Sequence, residues 1–358
     1  MRRVCWKDGG RHKVRVRLLI VGFRGGTHIG GSLARAAERL GVEHKFLDAS
    51  RAFAGPRLLR LVSWRLRGHR PPALRSLSRE VESVCARWRP RWLLTTGLAP
   101  VDDAALAAIG RLGVRRLNFL TDDPWNPAFC ANWFFEALRQ YDHVFTPRRA
   151  NLADLTRHGR GAVTYLPFAF DPDLSFREEP RTPQEWSDLA ADVAFVGGAD
   201  RDRVPYVSTL IRAGVRVAVY GGYWDHYPET RGSHRGHADL ATVRKATSAA
   251  KVSLCLVRRA NRDGHVMRSF EIPAMGGCIL LEDTDEHRAL FGRPGESAAY
   301  FHTIPEMVDG VHRLLSMQGE RIRLAAEGER RIRNGSHTYA DRLQAMLTAD
   351  DESLATSR

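Results

Sequence analysis

Lysine is scarce in this chain. Of the 55 Lys and Arg residues among 358, only Lys7, Lys13, Lys45, Lys245 and Lys251 are lysines, so a formal net charge of +14 rests almost wholly on arginine. Such a field favours anionic partners such as phosphate-bearing ligands, membrane surfaces or nucleic acid. No helix-turn-helix, zinc-finger or RNA-binding signature accompanies the charge, which sets nucleic acid aside. Cysteine is scarce too: Cys5, Cys85, Cys130, Cys255 and Cys278 are scattered, without a C-x-x-C pair or a His at zinc-ligand spacing. That excludes a disulfide framework and a sequence-visible structural zinc site, and no metal ligands are expected.

Long apolar runs are absent. No stretch reaches the roughly 20 apolar residues of a membrane span, and the basic start "MRRVCWKDGGRHKVRVR" lacks the apolar core of a secretory signal. The expectation is a cytoplasmic chain. Acidic residues are missing from Arg51 to Arg79, where "RLLRLVSWRLRGHR" interleaves Leu58, Leu59, Leu61, Val62, Trp64 and Leu66 with arginines. This basic amphipathic stretch, residues 57–67, either packs its apolar stripe on a core or makes a peripheral contact at the inner face of a membrane.

What is present is a regular alternation. "VRLLIVGF" is a continuous β-type run, followed by glycines and by the helical pattern "SLARAAERLG". "EHKFLDA", "RWLLTTG", "RRLNFLTDD", "DHVFTP" and "VTYLPFAF" follow as strands with helical segments between most of them. The pattern restarts at "DVAFVGGADRDR" and continues through "VRVAVYGGYW", "KVSLCLV", "CILLED" and "SAAYF", with helices expected near 205–213, 240–249, 269–275 and 304–316. Such β/α alternation specifies parallel sheets covered by helices on both faces. The expected fold class is α/β, with two Rossmann-like doubly wound domains. A basic tail occupies 1–14, the first domain 15–168, a proline-rich linker 169–190, the second domain 191–333, a terminal helix 334–347 and a disordered tail 348–358.

Ligands of open α/β sheets bind beyond the carboxyl ends of the strands, in the crevice such domains present. Neither glycine loop carries a dinucleotide or P-loop signature: "GFRGGTHIGGS" is not G-x-G-x-x-G and has no G-x-x-x-x-G-K-[ST] lysine. The candidate residues therefore stand at strand ends. In "RSFEIPAMGG" (268–277) a helix is expected with Ser269 and Glu271 in its first turn. Its free N–H groups and Arg268 suit a diphosphate, and a nearby carboxylate can accept from sugar hydroxyls; alternatively, Glu271 complements the helix dipole and Arg268 pairs with it. Gly276 ends the helix and lets backbone pass close to a ligand. Gly197 and Gly198 open the second domain with Arg201 and Arg203 in reach of an anion, Arg201 being either a diphosphate ligand or a solvated arginine at the helix start, and Tyr220 and Trp224 beside Gly221 are either a nucleobase wall or core. In "TDDPW", Asp123 before Pro124 reads as a helix N-cap, leaving Asp122 as the freer carboxylate for acceptor binding or base chemistry.

The segment "VMRSFEIPAMGGCILLED", with "NFLTDDPW", "YLPFAFDP" and "DVAFVGG" in the same order, resembles the CgeB-like (spore maturation protein) branch of GT-B glycosyltransferases, within the glycosyltransferase family 1 and 4 group. The resemblance implies two domains facing across a cleft and transfer of a sugar, a hexose foremost, from a UDP-, GDP- or TDP-sugar without a metal or other cofactor. The acceptor would be a glycan, a lipid-linked molecule or a small molecule. In retaining members an E-x7-E pattern lies here; Glu271 matches its second Glu, the ribose ligand, while Asp263 stands where the first would be. His28, after the first strand, falls where inverting members carry their base, and a neutral imidazole can deprotonate a hydroxyl. Gly25, Gly26, Asp122, Asp123 and Trp125 would then line the acceptor side. The alternatives are a sugar-nucleotide epimerase on the same fold and a non-catalytic protein whose degenerate cleft binds a nucleotide or polyanion.

Overall fold

The computed structural model describes residues 16–356 apart from 27, 57–61, 64, 65 and 67. The tail expected at 1–14 and most of the amphipathic stretch at 57–67 lie outside the described residues. No helix among the described residues is long and apolar enough to cross a membrane.

The chain forms two compact units, one of Met1–Pro167 with Tyr339–Arg358, the other of Phe168–Thr338. The first contains β1 (Arg17–Gly22), β2 (Glu43–Asp48), β3 (Trp92–Thr96), β4 (Arg115–Phe119), β5 (His143–Thr146) and β6 (Ala162–Tyr165), in the sheet order β2-β1-β3-β4-β5-β6. Every pairing is parallel. β3, WLLTT, is buried at all five positions, as a strand covered on both faces must be. Leu74, Leu77, Val81 and Cys85 recur at helical spacing along Leu74–Trp88 and share one core with Leu19, Val21 and Leu93.

The second unit repeats the plan with β7 (Ala191–Val196), β8 (Val217–Tyr220), β9 (Ala250–Cys255), β10 (Ile279–Glu282) and β11 (Ala299–Phe301), ordered β11-β10-β9-β7-β8 and parallel throughout. Helix Ile304–Ser316 places Met307, Val311 and Leu314 against Leu280 and Phe301. In each unit the chain runs to one side of its first strand and then to the other, so the order reverses between β1 and β3 and between β7 and β9. Loops leaving the carboxyl ends of those strand pairs diverge and open a crevice.

Two boundaries differ from expectation. The segment 169–190 is not a free linker: it lies inside the second unit and carries helix Pro183–Leu189, which Thr182 caps through the Glu185 amide. The terminal helix runs Tyr339–Thr356, so it starts later than 334 and continues through part of the tail expected to be disordered. Burial explains its length. Leu343, Met346 and Leu347 are fully buried, and the Asp350 carboxylate accepts from Trp92 Nε1 at 3.0 Å and from Arg115 Nη2 at 2.5 Å.

Candidate functional site

The residues that converge in the second unit lie at the carboxyl ends of β7 and β9, on either side of the reversal. After β7 the chain turns at Gly197–Gly198, and the Asp200 carboxylate closes the next turn by accepting from the Asp202 and Arg203 amides at 3.1 and 2.9 Å. Helix Val204–Arg212 begins with proline in its first turn, which suits its fixed φ and missing N–H. The Arg203 guanidinium folds back over Phe195 and donates from Nη1 to the Gly198 carbonyl at 3.3 Å. Arg203 is 8 % exposed and its Nε has no acceptor. Burial weakens its hold on its proton while Asp200 opposes that shift, and a guanidinium stays charged regardless.

β9 delivers a second cation. Arg258 Nε stands 3.9 Å from Asp200 Oδ2, and Asp263 in the same loop also acts electrostatically on Arg203. Arg259, by contrast, is held by Glu282 Oε1 at 2.6 Å and by the Tyr206 hydroxyl at 2.8 Å. The loop ends of two adjacent strands thus bring Arg203 and Arg258 to the Asp200 carboxylate, in the turn that follows Gly198, whose amide has no hydrogen bond among the described residues. Two guanidinium groups beside a glycine turn can hold an oxyanion group and neutralise charge that develops on it. Arg201, the expected diphosphate ligand here, is exposed. Both arginines of "ADRDR" are within reach on sequence alone, and Arg203 is the buried one, next to buried Val204 at the helix start; Arg258 was missed, since "RRANRDGHVM" reads only as a polar loop.

Arg268 and Glu271 pair with each other across one turn of helix Arg268–Ala274, and Glu271 is 7 % exposed. The free amides expected at this helix start are not there. Ser269, Phe270 and Glu271 donate backward to Val266 and Met267 at 3.0–3.1 Å, because Met267 is already in the helical conformation and continues the preceding turn. Ser269 instead anchors the helix with its hydroxyl. His287 Nδ1 donates to the Glu282 carbonyl at 2.7 Å, so its Nε2 accepts from Ser269 Oγ at 2.8 Å. Burial pushes the His287 imidazole down to about 4, consistent with that neutral tautomer.

Tyr220 and Trp224 are core residues, not a nucleobase wall. Trp224 has no exposed surface, packs edge-on to Phe195 at 5.6 Å and donates from Nε1 to the Gly197 carbonyl at 2.8 Å; Tyr220 is 2 % exposed. The exposed aromatic of that stretch is Tyr223, at 65 % and in the left-handed region with φ 73°. Gly221 is required where it stands: its φ is 137°, and a Cβ would lie 2.5 Å from the Gly197 carbonyl oxygen. Gly276 closes the helix Arg268–Ala274 at φ 79°.

In the first unit, His28 is exposed at the start of helix Ile29–Arg39, its ring 5.2 Å from Phe23 and its side chain capping nothing. Gly25 and Gly26 form the exposed turn before it. Asp122 is half-buried beyond β4, with Oδ2 3.4 Å from Thr121 Oγ1. Asp123 does not begin a helix. It is buried at 1 % exposure and accepts from the Trp125 amide at 3.0 Å in a turn, while the next helix starts only at Asn132. Proline after Asp123 is equally at home in such a turn, and burial removes that carboxylate from any acceptor surface. Trp125 packs on Phe135 and His158 at 5.6 and 5.4 Å. His28 follows β1 and Asp122 follows β4, strands separated by β3.

Two Rossmann-like parallel-sheet units in one chain constitute the GT-B architecture. Residues 203–348 match the sequence model of a family described as Glycosyl transferase-like, a span that begins at Arg203 and includes Arg258, Asp263, Arg268 and Glu271. None of the curated proteins compared with the chain matches it. Among solved structures, it is similar to sucrose-phosphate synthase from Thermosynechococcus elongatus, with a TM-score of 0.67 at 11% identity over 96% of this chain and 100% of that one. A protein assigned as a UDP-N-acetylglucosamine 2-epimerase from Listeria monocytogenes gives 0.59 at 12% identity over 95% and 98%. A structure described as trehalose-6-phosphate from E. coli bound with UDP-2-fluoro glucose gives 0.61 at 14% identity over 93% and 98%. At such identities these likenesses establish the fold.

Proposed function

We propose that the protein is a glycosyltransferase that moves a hexosyl group from a nucleoside-diphosphate sugar to an acceptor hydroxyl. The observation that carries this is the pair Arg203 and Arg258 at the Asp200 carboxylate after the Gly198 turn, at the strand-order reversal of the unit that the glycosyltransferase-like family model covers. The donor diphosphate would displace Asp200 from its looser contacts and complete the hydrogen bonding of Arg203 Nε and the Gly198 amide. Glu271, released from Arg268, would accept from the ribose hydroxyls, and Arg268 would add charge to the phosphates. The sugar C1–oxygen bond to the β-phosphate breaks, the acceptor oxygen bonds to C1, and the charge left on the nucleoside diphosphate is neutralised by guanidinium groups. In an inverting reaction the acceptor proton passes to His28 or Asp122; in a retaining one it passes to the departing phosphate. A role for guanidinium groups in place of a metal belongs to this proposal, as does the CgeB-like assignment. UDP is the first nucleotide to try, because a structure of this fold was obtained with UDP-2-fluoro glucose.

A second reading, sugar-nucleotide epimerisation, is favoured by the likeness to the Listeria protein. One experiment separates them: incubation of the chain with UDP-, GDP- and TDP-hexoses in EDTA, with and without a panel of sugar and glycan acceptors, followed by product analysis. Transfer or slow donor hydrolysis that Arg203→Gln abolishes, in a variant that melts like wild type, is the expected result. A changed sugar nucleotide without acceptor would instead establish the epimerase. Neither product, with nucleotide binding retained, would leave a binding protein.

A further inference from the structure

The second unit has a cavity that the proposed donor site does not use. It measures ≈ 440 Å³ and lies at the amino ends of β9 and β10, so it opens on the opposite edge of the sheet from Arg203 and Arg258. Its walls come from four places: the end of helix Leu240–Ala249, the Gly276–Gly277 turn, the segment carrying Arg177, and the first turns of helix Gln318–Asn334. Three cations line it, Arg177, Lys251 and Arg321, against the single carboxylate of Glu179. Lys251 is balanced by Asp192 at 2.8 Å and Arg177 by Glu329 at 3.4 Å. Arg321 is not balanced in that way. Its Nη1 donates to the carbonyls of Leu314 and Leu315, which fixes the plane of the guanidinium, and no carboxylate pairs with it among the described residues. Its Nε and Nη2, one edge of the guanidinium, make no hydrogen bond among the described residues. The remaining lining is small, with Ala326 on one side and Gly277 on the other, and Ile322 stands 61 % exposed.

We propose that this cavity binds a small phosphomonoester of about pentose or hexose size. A dianionic phosphoryl group answers the unbalanced fork of Arg321 and the nearby Lys251 and Arg177, since planar guanidinium donors match phosphate oxygens in pairs. The volume falls in the range of small-molecule sites and leaves room beyond the phosphate for a compact hydroxylated body. The Gly276–Gly277 turn that forms one wall directly follows helix Arg268–Ala274, so an occupant would touch the end of the element that carries Arg268 and Glu271. The binding site itself does not depend on the donor assignment.

The test is thermal denaturation of the full chain with ribose 5-phosphate, inorganic phosphate or ribose, on wild type, Ala326→Trp and Arg321→Gln. Ala326 is exposed on its helix, so the indole fills the cavity without entering the core. The expected result is a saturable rise of roughly 3 °C with ribose 5-phosphate at ten times its Kd, a smaller one with inorganic phosphate and none with ribose, all lost in both variants. Equal melting temperatures of the unliganded proteins check folding. No saturable rise with ribose 5-phosphate at millimolar concentration, or a rise that survives Ala326→Trp, overturns the proposal. Saturation by inorganic phosphate equal to that by ribose 5-phosphate overturns the phosphomonoester and leaves an anion site only.

Discussion

The Trp224 indole donates to the carbonyl of Gly197 at 2.8 Å, joining the ends of two neighbouring strands from positions 27 residues apart. That bond fixes the turn on which the proposed phosphate site is built, because Gly197 is also the residue whose carbonyl leaves no room for a side chain at Gly221.

Replacement of Gly221 by alanine should therefore be costly at one small atom. The new Cβ would meet the Gly197 oxygen and hold a φ that L-residues avoid, a loss of roughly 3 kcal/mol. Urea denaturation measures it. An unchanged midpoint would mean that the turn can open, and the site with it.

Glu271 is buried with Arg268 as its ion-pair partner. Removing the cation by Arg268→Ala leaves a desolvated carboxylate and should destabilise the second unit by about 3 kcal/mol, whereas Arg268→Lys should recover part of the loss. The neutral variant Glu271→Gln should cost less than Arg268→Ala. If Arg268→Ala proved the milder change in chemical denaturation, the pair would not be the reason Glu271 tolerates burial.

Acid should weaken the fold through His287. Its folded pKa of about 4 lies below the ordinary value near 6.5, so between those pH values the unfolded chain holds a proton that the native one does not. Stability is then fully present above pH 6.5 and falls as the pH drops toward 4, by about 2 kcal/mol between pH 6.5 and 5. His143, also lowered by burial, acts in the same direction. The variant His287→Gln should show a flatter pH dependence in denaturant titrations at several pH values; a slope equal to that of wild type would assign the effect elsewhere.

Asp350 is fully buried and joined to Trp92 and Arg115. Asp350→Ala should cost roughly 3 kcal/mol, by leaving the buried Trp92 N–H without this acceptor and the Arg115 charge with Asp142, at 3.3 Å, in place of two carboxylates. Tryptophan fluorescence during unfolding reports it directly. A cost below about 1 kcal/mol would make the pairing incidental.

Much of the fold was legible because parallel strands buried on both faces write themselves as unbroken apolar runs. Such runs mark β1, β3 and β7 to β10, while β2 (EHKFLD) and β4 (RRLNF) mix charged and apolar residues, and helices expected at 205–213, 240–249, 269–275 and 304–316 begin within a residue of their observed starts. What could not be read depends on contacts distant in sequence. Trp224 beside two glycines looks like a ligand platform until Phe195 and the Gly197 carbonyl claim it. Asp123 before proline looks like a helix cap until burial puts it into a turn. Arg201 and Arg203 are indistinguishable in a string, and only the packing of Val204 decides which guanidinium faces Gly198. The helix at 268 is two turns long as expected, but Met267 in helical conformation uses up the amides a cap would have left open.

The terminal helix Tyr339–Thr356 completes the first unit after the chain has passed through the whole of the second. During translation at about 5–20 residues per second, β1 to β6 would leave the ribosome some 10–30 s before Leu343, Met346 and Asp350 arrive to cover them. Trp92 and its neighbours would spend that interval exposed on a nascent sheet, a surface suited to chaperone capture. The inserted second unit can meanwhile fold by itself, so synthesis should yield a half-finished first unit tethered to a finished second one.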